Sequence, residues 1–483
     1  MTRMPIGAAL RELADRSPDA PAVRDRSTAL TRSELQDRAS RLATRLRESG
    51  VRSDDLVTIR VPNGIEHVVA TVAVWIAGAT PHPLDARLPP DEQRALIELA
   101  GARVVVSDSA VDAPGTTTLA PSAPDASPWS GPDLAAASWK APGSSGSTGR
   151  PKIVVATAPA IIDPDAAVAP FVPRRARQLV LAPLSHSAPF TYAYRGLMTG
   201  HELVIEPRFE PEAALRALAA SRAGWAMLVP TMMHRMLRLP AAERAAADLS
   251  ALDSILHIGA PCPPAVKRGW IDWIGAERVV EVYAGSESAG LTMIRGDEWL
   301  RRPGSVGRPI SGSRMRVVGA DGREVPAGTT GLVQMRRAGE APYRYLGADV
   351  EAVDGWHTLG DLGRLDDDGY LFLDDRRSDL IVVGGENVVP SRVERVAEEH
   401  PAVRSAVAVG LPDEDLGQVV GLVVDVDGAG VAESEIAGWM RDRLERVAHP
   451  RRILLVDRPL RDDAGKVRRS AWRDAFAVDR RSP

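Results

Sequence analysis

The sequence predicts an α/β protein in two parts, a large N-terminal domain of α/β-layered subdomains and a smaller α+β domain at the C-terminus. Three observations carry this. First, continuous apolar runs of strand length recur through the middle of the chain with helical segments between them, the pattern of sheets covered on both faces. Second, 483 residues exceed one small module at about 150 residues per domain, and 44% hydrophobic content can fill a large core. Third, the rhythm changes at a charged segment near Asp375, which sets a boundary there: 1–375 and 376–483.

The elements follow in order. Thr31-Arg-Ser-Glu34 is a capping box, and Leu35, Ala39, Leu42 and Leu46 continue at helical spacing until Gly50. Arg103–Ser107 reads as a short buried strand, and about 108–138, rich in Ala, Pro, Ser and Asp, as an irregular connection. Core strands are expected at 178–182, 202–205, 226–229, 254–258 and 278–282, with a helix over 210–223. Beyond the boundary come Ile381–Val383, a Gly384-Gly385 turn and a helix capped by Ser391-Arg-Val-Glu394. Strands at 405–409 and 419–426 and a helix over about 434–447 complete the unit.

Charge and composition exclude several classes. Sixty basic against sixty-four acidic residues give net charge −4, which argues against nucleic-acid binding driven by a positive field. Cys262 is the single cysteine, so a multi-thiolate metal cluster and an internal disulfide are excluded. The N-terminus lacks a signal-peptide apolar region, and the longest apolar run, Val68–Ala79, is too short to span a bilayer. The expectation is a cytoplasmic enzyme with no membrane span.

The richest stretch is Gly143-Ser-Ser-Gly-Ser-Thr-Gly-Arg-Pro-Lys152. Interleaved glycines and hydroxyl residues can turn backbone N–H groups and hydroxyls toward phosphate oxygens, and Lys152 adds a cation. No Walker A register fits it. Further motifs follow: Gly259-Ala-Pro261, Tyr283-Ala-Gly-Ser-Glu287, Gly360-Asp361, Asp375-Arg376 with Asp379-Leu-Ile381, Gly384-Gly-Glu-Asn387 and Gly465-Lys466.

Together these resemble, in order, the motifs of the ANL superfamily of adenylate-forming enzymes. Trp139-Lys-Ala-Pro142, Ala260-Pro-Cys-Pro-Pro264, Trp270-Ile-Asp-Trp273, Gly304-Ser-Val-Gly-Arg-Pro309 and Arg461–Arg469 are similar to the bile-acid-CoA-ligase-like branch, which acts on bulky or ring-containing acids. The resemblance implies an acid–CoA ligase that uses ATP, Mg²⁺ and CoA and forms an acyl-adenylate before the thioester. It implies a mobile C-terminal domain with a hinge at 376–379. Ser145, Gly146, Ser147, Thr148, Gly149 and Lys152 would hold the phosphates. Gly259, Ala260, Pro261, Tyr283, Ala284, Gly285 and Ser286 would hold the adenine side, and Asp361 and Arg376 the ribose. Thr148 and Glu287 would be magnesium-associated and, with Lys466, catalytic. Gly384, Gly385 and Glu386 would flank the CoA tunnel. His186, Phe190, Val229 and His257 would line the acid pocket.

Three departures bear on substrate and motion. Ser185 and Ser187 are smaller than the branch's usual residues, which points to a wider or more polar pocket. Thr191 follows Phe190 where amino-acid-activating relatives place an aspartate nearby, which argues against an α-amino acid. Ser378 stands where the hinge usually carries Asp or Lys. The expected partner is a small-molecule carboxylic acid. The alternative acceptors are an acyl carrier protein, an amine, or an aromatic amine attacking activated nitrite as in diazotase-like relatives.

Overall fold

The computed structural model describes residues 3–145, 151–339, 341–426, 430–462 and 465–479. Packing divides the chain into two units: 1–301 with 309–313 and 336–357, and 302–308 with 314–335 and 358–483. The strands just ahead of Asp375 thus pack with the C-terminal residues.

In the first unit the expected core strands form one sheet. Trp225–Leu228, Ser254–His257 and Val279–Ala284 run parallel beside Arg177–Val180 and Glu202–Ile205. Leu291–Arg295 and Ala29–Thr31 add antiparallel strands toward the two ends. The helix expected over 210–223 is Pro211–Ser221. The capping box forms as read: Glu34 N–H donates to Thr31 Oγ1 at 3.2 Å, and Thr31 N–H to the Glu34 carboxylate at 2.8 Å. That helix, Arg32–Glu48, buries Leu35, Ala39, Leu42 and Leu46.

A second, parallel sheet orders Thr80–Pro83, Leu56–Arg60, Val104–Ser107 and Thr117–Leu119. The last of these lies within the segment expected to be irregular. The long apolar run falls in helix Ile65–Ile76, where every residue but Glu66 is buried. A helix apolar on all sides is surrounded by protein. Its Trp75 Nε1 donates to Trp139 O at 2.9 Å. Among the described residues no helix is long and apolar enough to cross a membrane.

In the second unit, Asp361–Leu365 pairs antiparallel with Leu371–Arg376 and with Gly331–Arg337. The C-terminal sheet orders Glu386–Val388, Ile381–Val383, Gly417–Val426 and Val403–Asp413, with Arg452–Val456 parallel to Gly417–Val426. Helices Pro390–Glu398 and Glu433–Arg441 bury Val393, Ala397, Ile436 and Met440 against one face of the sheet. Helix Arg469–Asp479 brings Phe476 to a core containing Val407, Val409 and Val423.

Candidate active site

Parallel strands send their carboxyl-terminal loops off one edge, where α/β sheets hold ligands. Four motif segments leave that edge. His186 and helix Ser187–Met198 follow strand 177–180, and Val229 follows 225–228. Gly259-Ala-Pro261 follows 254–257, with Gly259 at φ +97°, and Tyr283–Glu287 continues from 279–284. One sheet therefore gathers residues more than 100 positions apart.

The flanks of the Gly-rich loop pair antiparallel, Gly143 with Ile153 and Ser145 with Pro151. Gly146, Ser147, Thr148 and Gly149 lie outside the described residues. Lys152 leaves the pair half-buried, its Nζ 3.5 Å from Glu287 Oε1 and 4.0 Å from the Tyr345 ring centre. Tyr345 Oη donates to the same Glu287 oxygen at 2.6 Å. Burial and the Glu287 charge push the Tyr345 phenol far up, so it stays a donor. Glu287, 8% exposed, is thus a carboxylate held by a cation and a phenol beside the loop. The sequence reading missed Tyr345. It reaches the site because Tyr343–Leu346 pairs with Pro151–Ala156, Tyr345 opposite Val154. Ser288 at φ +54° and its N–H to Gly285 O bond (3.1 Å) shape the turn that presents Glu287.

The donor set suits magnesium. Among the described residues no three His, Cys, Asp or Glu side chains cluster into a cage. Mg²⁺ commonly takes one or two carboxylates and completes its shell with water and phosphate oxygens, a role Glu287 can fill.

The acid-pocket candidates differ in burial. His186 is half-buried at the N-cap of helix 187–198. Val229 is buried, and Phe190 is fully buried against Trp139 and Tyr194 at ring distances of 6.0 and 4.4 Å. His257 is fully buried, its Nδ1 4.0 Å from Glu281, whose other oxygen accepts from Lys267 Nζ at 2.6 Å. Burial, then the Lys267 charge, keeps His257 neutral. Burial also pushes the Cys262 thiol up, so it is unreactive.

The second unit holds the remaining motifs. Asp361, 8% exposed, faces Arg376 across the strand pair and accepts from its Nε at 3.2 Å. Gly384 and Gly385, at φ +57° and +88°, make the turn before the exposed Glu386. Lys466 is exposed, and its N–H donates to the Asp462 carboxylate at 2.8 Å. Arg469, just beyond, donates to Asp379 at 3.0 Å, to Glu394, and to Ala408 O at 2.6 Å. Ser378 donates to its neighbour Asp379 at 3.1 Å.

A mixed α/β architecture and these motifs define an adenylate-forming ligase. The chain belongs to the AMP-binding enzyme family: residues 10–342 match the model described as AMP-binding enzyme, and 392–466 that of its C-terminal domain. A feruloyl-CoA synthase of Amycolatopsis sp. is 31% identical over 95% of this chain and 96% of its own. A long-chain-fatty-acid–CoA ligase of Mycobacterium tuberculosis is 29% identical over 98% and 99%. Among solved structures, an amide bond synthetase of Marinactinospora thermotolerans superposes with TM-score 0.82 at 27% identity, covering 98% of this chain and 100% of that one. The family and fold expected from the motifs are those found, and the chain is an AMP-forming acid–CoA ligase.

Proposed function

We propose that the enzyme activates a bulky or aromatic carboxylic acid with ATP, releases pyrophosphate and transfers the acyl group from its adenylate to CoA. The observation that carries this is the Lys152–Glu287–Tyr345 cluster beside the Gly-rich loop, which offers a cation and a magnesium-binding carboxylate side by side. A carboxylate attacking the α-phosphate brings two anions together, and fixed positive charge offsets their repulsion. Magnesium on Glu287 and Thr148 would supply part of that charge.

The loop Ser145 to Lys152 takes the phosphates, Tyr283 stacks on adenine beside Gly259–Pro261, and Asp361 accepts from the ribose hydroxyls with Arg376 as its partner. His186 and Val229 touch the acid, while Phe190 and His257 back the pocket from behind. Lys466 bridges carboxylate and α-phosphate, then departs as residues 376–483 turn about 376–379. Gly384, Gly385 and Glu386 flank the CoA. The feruloyl-CoA synthase among the relatives supports an aromatic acid, and cytoplasmic ATP and CoA fit the location. An amine acceptor is the second reading, to which the likeness to the amide bond synthetase draws attention.

The test is pyrophosphate release across an acid panel, followed by mass detection after CoA is added. An acyl-CoA product supports the first reading; adenylate that persists with CoA and reacts with amine favours the second.

A further inference from the structure

Lys140 lies three residues before the Gly-rich loop, in the Trp139-Lys-Ala-Pro142 stretch, to which the resemblance assigned no role. Its backbone is fixed: Ala156 N–H donates to Lys140 O at 3.1 Å, and Ala141 N–H to Pro81 O at 2.9 Å. Its side chain is 3% exposed, and Nζ donates to Ser187 Oγ at 2.8 Å and Thr191 Oγ1 at 2.7 Å. These hydroxyls stand four residues apart on one face of helix Ser187–Met198, in its first two turns.

A buried ammonium is normally paired with a carboxylate. Among the described residues none stands within ion-pair distance of Nζ; Glu287 acts on it only from farther away. The other neighbours do not compensate. The Trp139 ring lies 5.2 Å from Nζ and 5.3 Å from the Arg195 guanidinium, so two cations share one indole. The helix presents its positive end to the lysine, and its N-cap residue makes no side-chain capping bond. Burial, then Arg195, bring the Lys140 ammonium down to about 7, with Glu287 acting the other way. Ammonium, helix end and Arg195 all favour an incoming negative charge. Ser187 and Thr191, which hold the ammonium, belong to the segment placed at the acid pocket.

We propose that Lys140, oriented by Ser187 and Thr191, is a binding residue for an anionic oxygen of the acid substrate, making carboxylate recognition a function of this chain's own buried lysine. The proposal rests on the ligase reading given above. The oxygen belongs either to the reacting carboxylate or to a second acidic group on the same molecule.

The experiment compares the parent with Lys140→Met in pyrophosphate release, using cinnamate and 4-carboxycinnamate as paired acids, and in thermal unfolding without acid. The expected result is an acid KM raised at least tenfold, an ATP KM within twofold of the parent's, and a melting temperature equal to or above it. Methionine fills the same space without a buried charge, so a residue kept for binding gives up stability that this substitution restores. Thr191→Val, which keeps the charge and removes one hydroxyl, should raise the acid KM by less. Equal loss on both acids assigns the held oxygen to the reacting carboxylate; loss confined to 4-carboxycinnamate assigns it to the second. An unchanged acid KM on both overturns the proposal. So does a fall of more than about 5 °C in melting temperature with ATP and acid KM rising together, which marks a structural strut. A parent inactive across the acid panel overturns the ligase reading instead, and the melting comparison then decides on Lys140 alone.

Discussion

Lys267→Met should be among the most damaging single changes in the first unit, although Lys267 belongs to none of the motifs. Lys267 is fully buried on helix Pro264–Ile274, and its Nζ meets Glu281 at 2.6 Å. Glu281 is 6% exposed on the strand that leads to Tyr283. Removing the ammonium strands a carboxylate beside His257, whose charged form burial disfavours. At an effective dielectric near 20 the attraction at this separation is about 6 kcal/mol. Relaxation reduces that to the about 3–5 kcal/mol typical of breaking a buried pair. Burial already raises the Glu281 carboxyl even with Lys267 present, and the variant raises it further. A carboxyl whose folded value lies above its unfolded one stabilises less as pH rises. The deficit should therefore be greatest near pH 7–8 and should shrink as pH falls toward the ordinary glutamate value. Lys267→Met with Glu281→Leu should recover most of the loss, because no charge is then left behind. Urea unfolding followed by tryptophan fluorescence at pH 5 and 7.5 measures all three proteins. A single-variant cost below about 1 kcal/mol, or a double variant less stable than the single, would refute the reasoning.

Four further outcomes are expected. Lys466→Ala should slow adenylate formation by about 10²-fold, the scale of losing a charge-stabilising group, while supplied acyl-adenylate still yields thioester; separate half-reaction assays read this, and equal losses would sink the two-conformation mechanism. Asp361→Asn should raise the ATP KM about tenfold or more, the about 1.5–3 kcal/mol of charged hydrogen bonds, and leave the acid KM unchanged in steady-state kinetics. Ser185→Tyr should penalise bulky acids far more than short ones, and uniform loss across a size series would remove residue 185 from the pocket. The stability gained by Lys140→Met should be full below about pH 7 and fade toward pH 10.5. In that window the unfolded lysine binds a proton that the folded one, depressed by burial and Arg195 and partly restored by Glu287, does not. Melting temperatures across pH 6–10 check the slope.

The parallel core strands were legible because fully buried strands are apolar without interruption, and the capping box because its four residues are adjacent. Helix Ile65–Ile76 left no such sign. Where all sides are buried the helical period vanishes, and the run spoke only to membrane spanning. Strand Arg452–Val456 escaped because its residues are only half-buried and an arginine opens it. The motifs named Lys152 and Glu287 separately, but Tyr345 joins them through pairing with a strand about 190 positions earlier. Lys140 likewise meets its hydroxyls 47 and 51 positions away. Local chemistry can be read along the chain; a partner supplied by sheet register or by a helix packed from elsewhere cannot.

Arg469 closes a mechanical shortcut. Asp379, in the segment proposed as the hinge, and Arg469, at the start of the helix after Lys466, are 90 positions apart along the chain yet share a 3.0 Å bond. The same guanidinium grips Glu394 and the Ala408 carbonyl, so helix Pro390–Glu398 and strand Val403–Asp413 are clamped to that junction. Residues 377–379, that helix, that strand and the segment that follows Lys466 are thereby tied together at one guanidinium. Under the proposed turn about 376–379, the lysine would travel as a tooth on a wheel whose spokes meet at Arg469.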